Sequence, residues 1–284
     1  MTGTGASETH GSTDFGSTDF GSTDPAELLD LAVGLAREAS ALLQDGHRHH
    51  LAVSTKSSAT DMVTEIDRAS EAFIVAGLRA ARPDDAIVGE EGTADPGTSG
   101  VTWLVDPLDG TTNYLYGYRA FAVSIAAEID GNVFAGVVAD ASNSEVFTAL
   151  RGAGAHRDGE TLHVNDLTDL ATALVGTGFS YLAERRARQA RVLTEILPAV
   201  RDIRRGGSAA LDLCWVASGR LDAFYEKGLG PWDSAAGLLV ATEAGAHAGD
   251  LDGGPPSTDF VLAAAPSLFE PLRAALAAAG AHRA

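Results

Sequence analysis

Between Pro25 and Gln44 apolar residues recur at helical spacing, at Leu28, Leu29, Ala32, Val33, Leu35, Ala36, Leu42 and Leu43. The spacing predicts an amphipathic helix, with Pro25 at its first position behind a cap at Asp24. The same period returns at Ala69, Ala72, Phe73, Val75, Ala76 and Leu78, which puts Asp67 near the start of a second helix. The texture then shortens. Residues 86–88 and 101–105 are apolar runs of strand length, and the second runs into Asp106 and Pro107. Pro107 has a fixed φ and no amide hydrogen, so the strand is expected to break there. Runs at 120–127 and 133–140 flank Asp130-Gly131, a hairpin signal, and 145–150 with 155–157 continue the strand-rich pattern to Asp158-Gly159.

Beyond a boundary placed near residues 160–170 the pattern alternates. Residues 172–178, 221–226 and 260–264 read as strands, and 184–200, 208–217, 233–244 and 268–278 as helices. Alternation of this kind indicates a mixed α/β chain, here divided into an N-terminal part, 25–165, and a C-terminal part, 166–284. Residues 1–24 stand apart. They repeat Gly-Ser-Thr-Asp-Phe at 11–15 and 16–20, with too few apolar groups to offset the entropy of ordering, and are expected to be a disordered tail.

Four groups of residues carry candidate chemistry. Asp106 and Asp109 stand three apart around a proline turn, followed by Gly110-Thr111-Thr112, where a helix start would offer free N–H groups to an anion. Glu90 and Glu91 directly follow a buried strand, an expensive place for two carboxylates unless one faces a cation. Asp233 follows Pro231-Trp232 at a predicted helix start, where it would also serve as a cap. Gly206-Gly207-Ser208-Ala209 precedes another helix, a weaker anion-friendly start. A set of oxygen ligands calls for a hard cation such as Mg²⁺. The His47-Arg48-His49-His50 cluster reads as solvated charge at a helix end rather than a metal site.

With 284 residues the chain is long enough for a large core, and its net charge of −19 disfavours nucleic acid or an anionic membrane as partner. A phosphate substrate fits that charge only if bound cations reverse the local field. Cys214 is the single cysteine, which excludes an intrachain disulfide and agrees with a reducing compartment. No run approaches the ~20 apolar residues of a membrane span, and no signal peptide is visible, so the sequence reads as cytoplasmic.

The run Trp103-Leu-Val-Asp106-Pro-Leu-Asp109-Gly110-Thr111-Thr-Asn113 resembles the first signature of the inositol monophosphatase family of metal-dependent, lithium-sensitive phosphatases. Trp232-Asp233-Ser-Ala-Ala-Gly237 is similar to the second, and Gly89-Glu90-Glu91, Asp67 and Lys56 stand where the family keeps its matching residues. The resemblance implies an α/β/α/β/α sandwich, a homodimer, and two or three Mg²⁺ ions. By that resemblance, Glu90, Asp106 and the Leu108 carbonyl would hold one metal, and Asp106, Asp109 and Asp233 a second. Glu90 with Asp67 would hold a looser third. Thr111 with Glu90 would orient and help deprotonate water, and the amides of Gly110 and Thr111 would hold the phosphate. Gly207, Ser208, Ala209, Glu226 and Asp233 would meet the rest of the substrate. Glu226, in the hydroxyl-binding place, points to inositol 1-phosphate or a similar polyol phosphate, ahead of histidinol phosphate, fructose 1,6-bisphosphate or nucleotide 3′-phosphates. A non-catalytic binding module on the same fold would be expected to have lost a metal carboxylate, and none is missing.

Overall fold

Two large β-sheets with a pair of helices between them form the computed structural model, which describes residues 23–47, 53–55 and 62–283. The N-terminal repeats up to residue 22, Lys56 and residues 48–50 lie outside the described residues.

The first helix, α1 (Pro25–Gly46), begins as the sequence predicts: Asp24 accepts the Ala26 N–H at 2.9 Å and Pro25 follows it. A short antiparallel pair, β1 (Val53–Thr55) and β2 (Met62–Thr64), leads into α2 (Glu65–Ala81). The first large sheet follows. It is built from β3 (Ala86–Gly89), β4 (Ala94–Asp95), β5 (Val101–Asp109), then, after the short α3 (Thr111–Tyr116), β6 (Ala122–Ile129), β7 (Asn132–Asp140), β8 (Glu145–Leu150), β9 (Gly154–Arg157) and β10 (Glu160–Thr161). Its order is β10-β9-β8-β7-β6-β5-β3-β4, antiparallel except for β3 beside β5. Asp130-Gly131 and Asp158-Gly159 both take positive φ at their two positions, the geometry of tight two-residue hairpin turns.

One expectation is corrected here. The strand does not end at Asp106; β5 runs through Pro107 to Asp109, with a register shift against β6 between Asp106 and Asp109. Proline can stand in a strand where the ladder is already interrupted, and the bulge supplies that interruption.

The second sheet is made of β11 (Leu174–Thr177), then, after α4 (Ala183–Ile196), β12 (Asp202–Arg204); α5 (Ala209–Ala217) leads to β13 (Ala223–Glu226), and α6 (Pro231–Glu243) to β14 (His247–Gly249) and β15 (Val261–Ala264), before α7 (Pro266–Ala278) closes the chain. The order is β12-β11-β13-β15-β14. Strands β12, β11 and β13 are parallel, and β15 runs antiparallel to both neighbours. The three-residue β12 and β14 carry too few residues for an alternation to show in the sequence.

Alternation along each strand sorts the core into layers. Trp103 and Val105 of β5 face α1 and α2, packing with Leu28, Leu43, Ile74 and Leu78. Leu104, from the opposite face of β5, joins Leu211, Cys214, Ala236 and Val240 of α5 and α6. Those two helices turn Leu213, Val216 and Ala241 to Phe224, Val261 and Ala263 of the second sheet. Val192 and Ile196 of α4, with Leu268 and Leu272 of α7, cover its outer face at Val175, Tyr225 and Leu262. The result is the α/β/α/β/α sandwich expected. Small residues set the spacing of the middle layer: a Cβ at Gly136 would lie 3.0 Å from the Ala236 Cα, and one at Gly237 2.9 Å from the Leu213 Cβ.

A buried polar knot anchors the edge of the first sheet. Asp85 accepts from the Trp103 indole at 2.9 Å, the Ser99 hydroxyl at 2.6 Å and the Arg82 guanidinium at 2.9 Å. Burial alone would raise the Asp85 carboxyl, but these donors outweigh it and hold the group below the ordinary range. Asp85→Ala is expected to cost about 2–4 kcal/mol, because it strands the fully buried Trp103 N–H and an ion-pair partner. Denaturant unfolding at neutral pH measures the cost; a loss below about 0.5 kcal/mol would show that the knot is dispensable.

Candidate active site

Carboxylates reach one point from separate elements. Glu90 follows the last residue of β3, where its N–H donates to the Val105 carbonyl at 3.1 Å. The loop is held from beneath by Glu71 of α2, which accepts the Glu91 N–H at 2.8 Å and the Thr93 hydroxyl at 2.7 Å. Asp106 stands at the bulge of β5 and accepts the Leu108 N–H at 2.9 Å, while Ser70 of α2 donates to the Pro107 carbonyl at 3.0 Å. Asp233 comes from α6. That helix starts at Pro231, earlier than the sequence suggests, so Asp233 is its third residue and not its cap. It reaches back to accept the Gly230 N–H at 2.6 Å, and Ser124 of β6 donates to the Trp232 carbonyl at 3.1 Å, pinning the helix start to the sheet. Carboxylate oxygens of Glu90, Asp106 and Asp233 thereby lie within 4.8 Å of one another.

Asp109 stands beside them. Its Oδ2 accepts from the Ser208 hydroxyl at 2.6 Å and the Ala210 N–H at 2.8 Å, at the start of α5. Ser208 also caps that helix, accepting the Leu211 N–H at 3.3 Å. Its hydroxyl is therefore committed to Asp109 and buried, rather than lining the cleft as the sequence reading expects. Thr111 donates to the Asp67 carboxylate at 3.0 Å, with the Leu108 carbonyl at 3.3 Å. Gly110 has φ of +92°, and a Cβ there would lie 2.7 Å from the Ala120 carbonyl, so only glycine fits before α3.

These groups floor a cleft of about 310 Å³ that also takes in Gly207, Ala209 and Glu226. Asp67 and Ser208 stand behind its wall. The cleft also takes in the segment 179–182 and two residues the sequence did not single out, Arg185 and Arg205. Arginines carry no motif of their own, and only the packing of α4 against the site brings Arg185 there. Glu71 was also missed, although it lies one helical turn beyond Asp67.

The sequence pattern of the inositol monophosphatase family matches residues 24–281. The chain belongs to the inositol monophosphatase family. The inositol-1-monophosphatase SuhB of Mycobacterium tuberculosis is 45% identical, covering 89% of this chain and 94% of that one. The Nus factor SuhB of Escherichia coli is 41% identical, covering 80% and 86%. The crystal structure of the extragenic suppressor protein SuhB from Bartonella henselae superposes with a TM-score of 0.83 at 37% identity, covering 88% of this chain and 98% of that one. The inositol monophosphatase family is one of metal-dependent phosphatases acting on small phosphate substrates, and the acidic cluster is of the kind that holds a metal.

The electrostatics fit such a group. Burial pushes Asp106 well above the usual carboxylate range, and the charges of Glu90, Asp109 and Asp233 add to the shift. Asp233 is raised by burial and by Asp109 and Glu90. Burial lifts Asp109 to about 6 against the pull of Ser208 and Ala210, and lifts Glu226 to about 7 against the pull of Arg205. Buried anions this close are stable only when protonated or paired with a cation, and an all-oxygen donor set suits a hard divalent ion.

A pH dependence follows. Carboxyls raised in the folded state bind protons more tightly there than in the unfolded chain, so their contribution is full below about pH 4 and is lost as pH rises through 6 and 7. Chelator-treated protein is expected to melt at a lower temperature at pH 8 than at pH 5, and a divalent cation to restore the loss at pH 8. Melting curves with and without cation test this; a metal-free protein that gains stability over that interval would refute the crowding of like charges.

Proposed function

We propose that this chain is a Mg²⁺-dependent phosphate monoester hydrolase acting on inositol 1-phosphate or a closely similar polyol phosphate. The observation that carries the reading is the convergence of Glu90, Asp106 and Asp233, with Asp109 alongside. Family membership, and a relative named inositol-1-monophosphatase, support the substrate.

In this reading Glu90, Asp106 and the Leu108 carbonyl would hold one ion, Asp106, Asp109 and Asp233 a second, and Glu90 with Asp67 a looser third. Bound Mg²⁺ would lower the pKa of water, neutralise the phosphoryl oxygens and stabilise the leaving alkoxide. The chain's own residues supply the rest. Thr111 already donates its hydrogen to Asp67, so its free lone pair is turned to accept a hydrogen bond from the attacking water. As that water loses its proton, Thr111 takes it and passes its own to Asp67, with Glu90 orienting the water. The first N–H groups of α3, at Gly110 and Thr111, have no acceptor within the helix and suit a phosphoryl oxygen. Glu226, at the other side of the cleft with Gly207 and Ala209, accepts hydrogen bonds from substrate hydroxyls. The resemblance also carries a homodimer.

A second reading rests on the relative named a Nus factor: a binding module that keeps the fold without turnover. The complete carboxylate set favours the enzyme, and Asp109→Asn separates the two. Asn keeps an acceptor for Ser208 and Ala210 but removes a charge where the transition state gathers it. Turnover of a phosphate ester at saturating Mg²⁺ is expected to fall by on the order of a hundred-fold or more, while the metal-free melting temperature holds or rises. A fully active Asn variant would overturn the metal assignment, and wild-type protein inert toward a panel of phosphate esters would favour the binding module.

Glu226→Gln tests the substrate. Its kcat/KM for inositol 1-phosphate is expected to drop about ten-fold further than its kcat/KM for a plain aryl phosphate, since a site built around hydroxyls loses most when its partner changes. Equal losses on both esters would make Glu226 structural and remove support for a polyol.

A further inference from the structure

Glu226 is the last residue of β13 held by the sheet ladder, opposite Val261. Beyond it the chain crosses to α6, and among the described residues 227–229 make no hydrogen bond between backbone groups. The crossing nonetheless joins two parts of the site, Glu226 at its start and Asp233 just past its end. Its far end is pinned: Leu229 is buried with Leu213 and Phe224, and Gly230 donates its N–H to Asp233. Its near end is left to a side chain. Lys227 borders the cleft, but its ammonium is turned away and donates to the His282 carbonyl at 2.6 Å. Gly228 follows, exposed and with φ of +87°, a position that resists no swing of the chain.

The acceptor is itself firmly held. Behind α7, Gly280 takes φ of +79° and turns the chain back toward the second sheet, where Ala281 is buried with Tyr225 and Phe260. Arg283 closes the turn by donating its N–H to the Gly280 carbonyl at 3.0 Å. The His282 ring meets the Asp252 carboxylate at 3.1 Å, and Asp250 fixes that loop by accepting the N–H groups of Asp252 at 2.9 Å and Gly254 at 2.7 Å. Glu226, Lys227, Phe260 and Ala281 border one small cavity, so the C-terminal turn and the substrate wall are neighbours in space. A bond from an ammonium to a carbonyl is charge-assisted and stronger than a neutral one, which suits it to tethering a segment with no ladder of its own.

We infer that Lys227 is a positioning residue: its bond to the C-terminal turn fixes the crossing after β13 and, through it, the aim of Glu226 at substrate hydroxyls. The inference rests on the reading of Glu226 as the acceptor of those hydroxyls. Its test uses Lys227→Met, which keeps the stem and removes the donor, and Lys227→Arg, which keeps a donor. The ratio of kcat/KM for inositol 1-phosphate to that for a plain aryl phosphate is expected to fall about five-fold in Lys227→Met, chiefly through KM for the polyol ester, and to recover in Lys227→Arg. In a Glu226→Gln background Lys227→Met should lower the ratio no further, because both changes act on one contact. An unchanged ratio in the single variant, or an equal further loss in the double one, overturns the inference. If wild type and Glu226→Gln show the same ratio, or neither ester is turned over, the reading of Glu226 fails separately, and amide hydrogen exchange of the full chain decides the tether. Exchange about five-fold faster at residues 227–230 in Lys227→Met upholds it, and equal exchange overturns it.

Discussion

Asp106 sets the terms for the rest of the molecule. It is a carboxylate with 1% of its surface exposed, in the buried run of β5, with Glu90 and Asp233 against it. Nothing in a hydrophobic core tolerates such a group unpaired. The bulge at Pro107 turns it to the cleft, and the Leu108 amide and Ser70 hold that turn. Either protonation or a bound cation must relieve this crowding, so folding and cation binding are linked through this one position.

The middle layer does the rest of the positioning. Helices α5 and α6 are packed between both sheets, and each delivers a piece of the site at its N-terminal end: Ser208 and Ala210 on Asp109, and Asp233 itself. Gly136 and Gly237 allow α6 to approach strand and helix backbones closely. Rigid packing at this distance transmits small shifts poorly absorbed elsewhere, so the geometry of the carboxylates is fixed by core residues that never touch a ligand.

Much of this was legible in the sequence, for physical reasons that differ between elements. The helix from Pro25 and the Asp130-Gly131 hairpin follow from local chemistry, a capped proline start and a turn that needs positive φ. Glu90, Asp106, Asp109 and Asp233 stand out because carboxylates beside buried runs are expensive. Ser208 was read as a ligand-facing group because a serine before a helix is indistinguishable, in one dimension, from a serine that caps it and also holds a distant aspartate. Asp233 was read as a cap for the same reason: its helix starts two residues earlier, at a proline that the sequence reading placed outside. Glu71 and Arg185 were invisible because their meaning depends on which face of a helix meets a loop from another part of the chain.

That last distinction separates the two walls of the cleft. The acidic floor comes from strand ends and helix starts, where backbone geometry dictates the residue type and a motif results. The opposite wall comes from α4 and the segment before it, where side chains reach the cleft from an exposed helix without any backbone demand on their identity. Arg185 lines the cleft from the first turn of α4. The carboxylate floor is therefore legible in the parts of the sequence that form motifs, and the opposite wall lies in parts that do not.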